Sequence, residues 1–239
     1  MHIHCELVIL ILALTLNDQV HTGKIIGGHI AGENSRPYMV LVERKMPAKT
    51  KHCGGFLLSE DFVMTAAHCV ASSFRVYVGL HNYHQKDNAQ IIPVEKTFPH
   101  EDFDEGTFRN DFMLLKLKSE AKLGGKVATI PLAELGDNPS KSCIVSGWGR
   151  NDTDSRMSPV LKEVSVTLTD KAPCDNDYFY CSDGKNGPAE GDSGGPLVCD
   201  EKAYGVVSHY EGHGNIPDTR FYAKIPKVRK WIDSVMKSN

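Results

Sequence analysis

From Ile25 to about residue 222 the chain is written in short apolar or alternating runs, each cut off by Gly, Pro, Asn or Asp. The clearest are Tyr38–Val42, Phe62–Ala66, Arg75–Val78, Met113–Leu117, Cys143–Ser146, Val160–Leu168 and Tyr204–Ser208. Strands this short and this closely spaced, with turn residues between them, build an all-β sandwich or barrel. A helical period appears only at the end, in Pro226–Met236, where Val228, Trp231, Ile232, Val235 and Met236 recur at steps of three and four. Pro226 suits the first turn of that helix, where a missing N–H leaves no bond unmade. No repeat, low-complexity stretch or flexible linker divides the chain.

One longer apolar stretch lies outside this pattern. Leu7–Leu16 is followed at once by polar Asn17-Asp18-Gln19. It is shorter than the roughly 20 residues a membrane-spanning helix needs and fits the apolar region of a secretory signal, expected to occupy residues 1–22. A buried first strand is the alternative, and the polar residues that follow disfavour it. With 41% hydrophobic and 24% charged residues, the remainder is an ordinary globular chain rather than a disordered one. Its formal charge is −3, and removing Glu6, Asp18 and Lys24 with the first 24 residues leaves −2. That balance gives no reason to expect nucleic acid as a partner. The basic cluster Lys224, Lys227, Arg229 and Lys230 reads as a solvated face.

Cys5 falls in the signal stretch, and Cys53, Cys69, Cys143, Cys174, Cys181 and Cys199 remain. An even number behind a secretory signal implies disulfides, whose connectivity spacing alone leaves open. No pair shows Cys-x-x-Cys spacing, so structural zinc has little support.

Three short motifs carry chemistry. In Gly191-Asp192-Ser193-Gly194-Gly195-Pro196 the glycines let a substrate carbonyl approach Ser193 and let N–H groups point at its oxygen. In Thr65-Ala66-Ala67-His68-Cys69 a histidine follows an apolar run and abuts a cysteine able to tie it down, as a general base requires. In Asn110-Asp111-Phe112-Met113-Leu114-Leu115 an acid opens an apolar strand, where its carboxylate can orient an imidazole. Each has a plain alternative: a glycine-rich turn, a core histidine, a strand-capping acid.

In the order His, Asp, Ser, the three together resemble the chymotrypsin-type serine proteases, over essentially all of Ile25–Lys237. Ile25-Ile26-Gly27-Gly28, Cys53-Gly54-Gly55 and Ser146-Gly147-Trp148-Gly149 match further motifs of that family. Ser35-Arg36-Pro37-Tyr38-Met39 and Cys53-Gly-Gly-Phe-Leu-Leu resemble its granzyme and mast-cell protease branch, as does the lack of a cysteine at Ala189 and Glu190.

The resemblance implies two six-stranded antiparallel β-barrels, a C-terminal α-helix and one protease domain over residues 25–239. It implies the disulfides Cys53–Cys69, Cys143–Cys199 and Cys174–Cys181. His68, Asp111 and Ser193 are then the catalytic residues, with the N–H groups of Gly191 and Ser193 as oxyanion hole. Residues 23–24 become an activation peptide, released by a tryptic cut after Lys24 or as the dipeptide Gly23-Lys24, and the new Ile25 α-ammonium pairs with Asp192. Protein or peptide substrates, an activating protease and serpin-type inhibitors are the implied partners. Secretion or storage in immune-cell granules is the implied location. No acidic calcium loop is recognisable around Leu80–Ile91, so neither metal nor cofactor is expected.

Loop lengths depart from the family. Only six residues separate Cys174 from Cys181, and nine separate Cys181 from Gly191. The specificity pocket is expected to be lined by residues 186–190, Gly187 and Glu190 among them, by Ser208, His209 and Tyr210, and by a strand starting at Phe221. Arg220, placed just before that strand, matches the arginine granzyme B carries at its pocket base and would select Asp or Glu. Alternatively Arg220 is exposed on the preceding loop, or Asp218 takes the base and selects Lys or Arg; Tyr210 stands where the family usually has glycine. Aromatic preference and an inactive, ligand-binding homologue are further alternatives. Asn151-Asp152-Thr153 fits the N-glycosylation pattern.

Overall fold

The computed structural model describes residues 25–150, 156–171, 174–175, 177–212 and 219–239. The signal and activation segments with Lys24, the Asn151 acceptor and Asp218 lie outside the described residues.

The expected strands form and close on themselves twice. In the first barrel β2 (Met39–Lys45), β3 (Thr50–Leu57), β4 (Phe62–Thr65), β7 (Met113–Leu117), β6 (Gln90–Pro99) and β5 (Ser73–Val78) pair in that order, and β5 pairs back onto β2. In the second, β8 (Ser142–Gly147), β9 (Lys162–Thr169), β10 (Phe179–Asp183), β13 (Thr219–Lys224), β12 (Lys202–Glu211) and β11 (Pro196–Cys199) close through β11–β8, while β1 (His29–Ile30) adds to β9. All these pairs are antiparallel, and closure removes the unpaired edges a sheet of this size would otherwise expose.

Met39, Val40, Leu41 and Val42 are buried in succession instead of alternating. They can be, because inward residues fill the barrel while the outer face meets the other half, where β2 lies against β8 and β3 against β11. One apolar cluster accordingly runs from Val40, Leu41 and Phe56 to Val206, Phe221 and Ile232. A second fills the other barrel with Val145, Val166, Leu197 and Tyr222, and takes in Ile25, which is fully buried.

Helix α1 covers Ile225–Ser238, one residue earlier and two later than its periodicity marks. Ile225, Pro226, Val228 and Ile232 are its buried face, and Trp231 packs on His100, with ring centroids 4.8 Å apart. Among the described residues no helix is long and apolar enough to cross a membrane. The three disulfides are Cys53–Cys69, Cys143–Cys199 and Cys174–Cys181, the pairing the resemblance implies. Cys143–Cys199 spans 56 residues and so restrains the unfolded chain most, by about 4 kcal/mol on chain-entropy grounds.

Candidate active site

His68 sits in a single turn of 3-10 helix, Ala67–Cys69, between β4 and β5. The Cys53–Cys69 disulfide fastens that turn to β3. Asp111 lies two residues before the start of β7 and is wholly inaccessible. Its carboxylate accepts three hydrogen bonds: from the His68 backbone N–H (2.9 Å), from His68 Nδ1 (2.7 Å) and from Ser208 Oγ (2.6 Å). An ionised carboxylate only accepts, so His68 carries its proton on Nδ1 and keeps the Nε2 lone pair as a base.

Ser208 reaches Asp111 from the other barrel. The β12–β13 register shifts between Val207 and His209, and this bulge re-aims Ser208 out of the alternation of the strand. Its single hydroxyl proton goes to Asp111. The contact of 3.1 Å between Ser208 Oγ and His209 Nδ1 therefore has His209 as donor. The His209 ring is stacked between Phe108 (4.7 Å) and Phe221 (4.4 Å). Burial there, with His68 nearby and against the pull of Asp111, holds its pKa down at about 4, so it stays neutral.

Ser193 lies in the turn before β11, partly exposed. Its carbonyl accepts from Gly54 N–H on β3 at 2.8 Å, a main-chain bond that seats the serine against the first barrel. The N–H groups of Gly191 and Ser193 donate to no group among the described residues. Gly194 (φ +87°) closes the contact: a Cβ there would stand 2.1 Å from Thr65 Oγ1, 2.5 Å from Gly54 O and 2.9 Å from Ala66 N. Gly194→Ala is expected to destabilise the fold by more than about 3 kcal/mol, since backbone must move as well as φ strain be borne. Gly136→Ala, also at positive φ but with nothing within 4 Å, pays only the strain. Denaturant unfolding of the two variants checks the difference.

Asp192 is fully buried. Its carboxylate accepts from Gly149 N–H (2.7 Å) and Ala189 N–H (2.9 Å). Gly147 and Gly149 leave the slot it occupies, where added Cβ atoms would come within 2.1 and 2.4 Å of it. Burial pushes Asp192 up to about 6, those two hydrogen bonds only partly opposing it, and no cation pairs with it among the described residues.

His68 and Ser193 share the wall of a cavity of about 440 Å³ with Phe108, Pro188, Ala189, Glu190, Ser208, His209, Tyr210 and Arg220. Gly187 is not on this wall; its Cα packs under the Arg220 side chain. Arg220 lies within β13 rather than before it, because β13 starts at Thr219, and pairs with Ser182 and Tyr210 on either side. It is not an exposed loop arginine: it is 1% accessible. Nε donates to Pro188 O (3.1 Å), Nη2 to Lys185 O (3.2 Å) and Nη1 to Gly184 O. Tyr210 is half exposed, and Glu190 is largely exposed, 3.8 Å from Arg150. Phe108 was not singled out by the sequence. Its positive φ of 56° places it over His68 and His209, and nothing in a lone Phe three residues before Asp111 announces that conformation.

The chain matches the family described as Trypsin over residues 25–232. It is 39% identical to granzyme B(G,H) of Mus musculus, over 98% of this chain and 100% of that protein. It is 37% identical to granzyme B of Homo sapiens (96% and 98%) and 38% identical to cathepsin G of Mus musculus (96% and 92%). The solved structure of GrC, granzyme C, is similar at a TM-score of 0.80 and 36% identity, over 89% of this chain and 100% of that one.

Proposed function

Given that the chain belongs to the trypsin family of serine endopeptidases and acts on protein or peptide substrates, we propose that His68, Asp111 and Ser193 carry the reaction. The observation that supports this most is that His68 and Ser193 wall one cavity while the buried Asp111 behind His68 holds it in the tautomer whose Nε2 is bare. His68 takes the Ser193 hydroxyl proton as Oγ attacks the peptide carbonyl. Asp111 stabilises the imidazolium. The C–N bond then breaks, the proton passes to the leaving amine, and water enters by the same route to release the acyl group. The N–H groups of Gly191 and Ser193 receive the oxyanion, and one such donor typically contributes about 2.7–4 kcal/mol. A fluorophosphonate should label Ser193 of the processed chain and not of Ser193→Ala. An unlabelled wild type points instead to an inactive, ligand-binding homologue.

Processing between Lys24 and Ile25 frees the α-ammonium that Asp192 lacks, and the burial of Ile25 in the second barrel supports this. Secretion is supported by Leu7–Leu16 and the three disulfides, and granule storage by the names of the relatives, which include Mast cell protease 3 of Ovis aries. An activating protease, serpin-type inhibitors and glycosylation at Asn151 belong to the same reading.

For specificity, cleavage after Asp or Glu rests on Arg220. Carbonyl oxygens of Pro188 and Lys185 fix its guanidinium in the wall of the cavity that an acidic side chain would enter, where a carboxylate is favoured and a cation is not. Arg220→Gly is expected to abolish acidic preference in a peptide-library profile and to lower the melting temperature, because three carbonyls lose their donor. Wild-type cleavage after Lys, Phe or Leu, with Asp and Glu ignored, removes the assignment.

A further inference from the structure

Two histidines reach the same carboxylate by different routes. His68 meets Asp111 directly through Nδ1, at 2.7 Å. His209 meets it through one hydroxyl: its Nδ1–H donates to Ser208 Oγ at 3.1 Å, and that hydroxyl gives its only proton to Asp111 Oδ2 at 2.6 Å. Along a regular strand Ser208 and His209 would point to opposite faces. The bulge prevents this. Val207 faces Tyr222 and His209 faces Phe221, so Ser208 has no residue opposite it and turns to the side of its neighbour.

The proposed reaction uses Asp111 and His68 and gives His209 no task beyond that of cavity wall. Its ring is nevertheless held more closely than a wall requires. Phe221 stacks on it at 4.4 Å and 5°, Phe108 at 4.7 Å and 19°, and Phe179 meets it edge-on at 5.2 Å. Phe179 and Phe221 are themselves buried, and Phe108 takes its place only at φ +56°, a costly conformation for a bulky residue. Three aromatic rings thus fix the imidazole plane and keep Nδ1 aimed at Ser208. Burial and His68 oppose a charge on this ring and Asp111 favours one, while Arg220 of β13, Glu190, and Tyr210 and Glu211 of its own strand share its cavity. The ring stays neutral, so its single N–H is the one that Ser208 accepts.

We propose that His209 is a positioning residue of the reaction, which orients and polarises the Ser208 hydroxyl that steadies Asp111 behind His68. The proposal rests on the catalytic reading of His68 and Asp111. A hydroxyl that accepts a hydrogen bond donates a stronger one. Part of the Asp111 charge is thereby drawn to Ser208, and the carboxylate is kept in the plane that holds the His68 tautomer.

The test sets His209→Phe against His209→Asn. Phe keeps the stack and removes the donor, whereas Asn removes the ring and leaves an amide N–H where Nδ1 stood. His209→Phe is expected to lower kcat on a peptide anilide about tenfold, with KM within about twofold, as for the loss of one oriented hydrogen bond. The acid limb of its kcat/KM profile should move to higher pH by about half a unit, because Asp111 then holds the His68 imidazolium more firmly. His209→Asn should recover most of the rate and the limb while melting at a lower temperature. In a Ser208→Ala background His209→Phe should have little further effect. Wild-type kinetics in His209→Phe, an unmoved acid limb, a change confined to KM, Asn no better than Phe, or a full effect kept in Ser208→Ala overturns the proposal. NMR titration of the His68 ring in Ser193→Ala protein processed to begin at Ile25 needs no turnover and separates the two readings. A titration displaced by His209→Phe in a protein whose wild type cleaves nothing keeps the hydrogen-bond chain and removes the catalytic assignment, and an undisplaced titration removes the role of His209.

Discussion

Asp111→Asn is expected to fold and to lose about ten-thousandfold in kcat, the size of loss known for this change in a Ser-His-Asp site. Three donors converge on the Asp111 carboxylate, from His68 N–H, His68 Nδ1 and Ser208 Oγ, in a place without solvent. An amide offers one oxygen and one NH₂ in their stead. If the oxygen keeps the His68 N–H, the NH₂ replaces the oxygen that served both His68 Nδ1 and Ser208 Oγ, and both must then accept. The proton moves to Nε2, and the imidazole can no longer take one from Ser193. The variant's volume is unchanged and its contacts can be kept with donor and acceptor exchanged at two of them, so thermal unfolding should shift far less than the rate. Steady-state kinetics on an anilide substrate checks this, and a kcat within tenfold of wild type contradicts the assigned role.

The second large effect is expected from Asp192→Asn. The folded variant keeps an oxygen for Gly149 or Ala189 N–H but offers no charge to an inserted Ile25 ammonium. Removing one partner of a buried pair typically costs about 3–5 kcal/mol, which is a few hundred- to a few thousandfold in the population of the ordered site. The processed variant should therefore hydrolyse as poorly as the uncleaved chain, and full activity in either removes the activation reading. A pH signature accompanies it. Without the cation, burial holds Asp192 up at about 6, above the unfolded carboxylate. Between those two values the folded chain holds more protons than the unfolded one, so stability of the uncleaved protein falls as pH rises through that window to about 6. Pairing with the ammonium removes this dependence, which unfolding measured on both forms from pH 4 to 7 will show.

What the sequence made legible was what neighbours along the chain decide. The runs from Tyr38 to Ser208 became strands because turn residues bound each of them, and Pro226 opened the helix because its spacing and missing N–H both suit that place. His68, Asp111 and Ser193 could be singled out because each sits in its own short signature. Ser208 and His209 were named as pocket wall, but their chain of hydrogen bonds to Asp111 was not, since it depends on a bulge set by pairing with β13. Arg220 was placed one element too early because its surroundings are fixed by the register of β10 and β12, and Gly187 was put on the wall it stands behind. Tyr83 N–H donates to Pro159 O across the two halves, and no local pattern reports such a meeting.

The bond from Gly54 N–H to Ser193 O joins the two barrels through main-chain atoms that every residue but proline possesses. Mutation can exchange the side chains around Arg220, Tyr210 or Tyr83 without touching that bond, whereas few substitutions at Gly54, Gly194 or Gly195 leave it room. Exchanges of side chain at the rim are therefore uncoupled from the main-chain contact that seats Ser193 between the barrels.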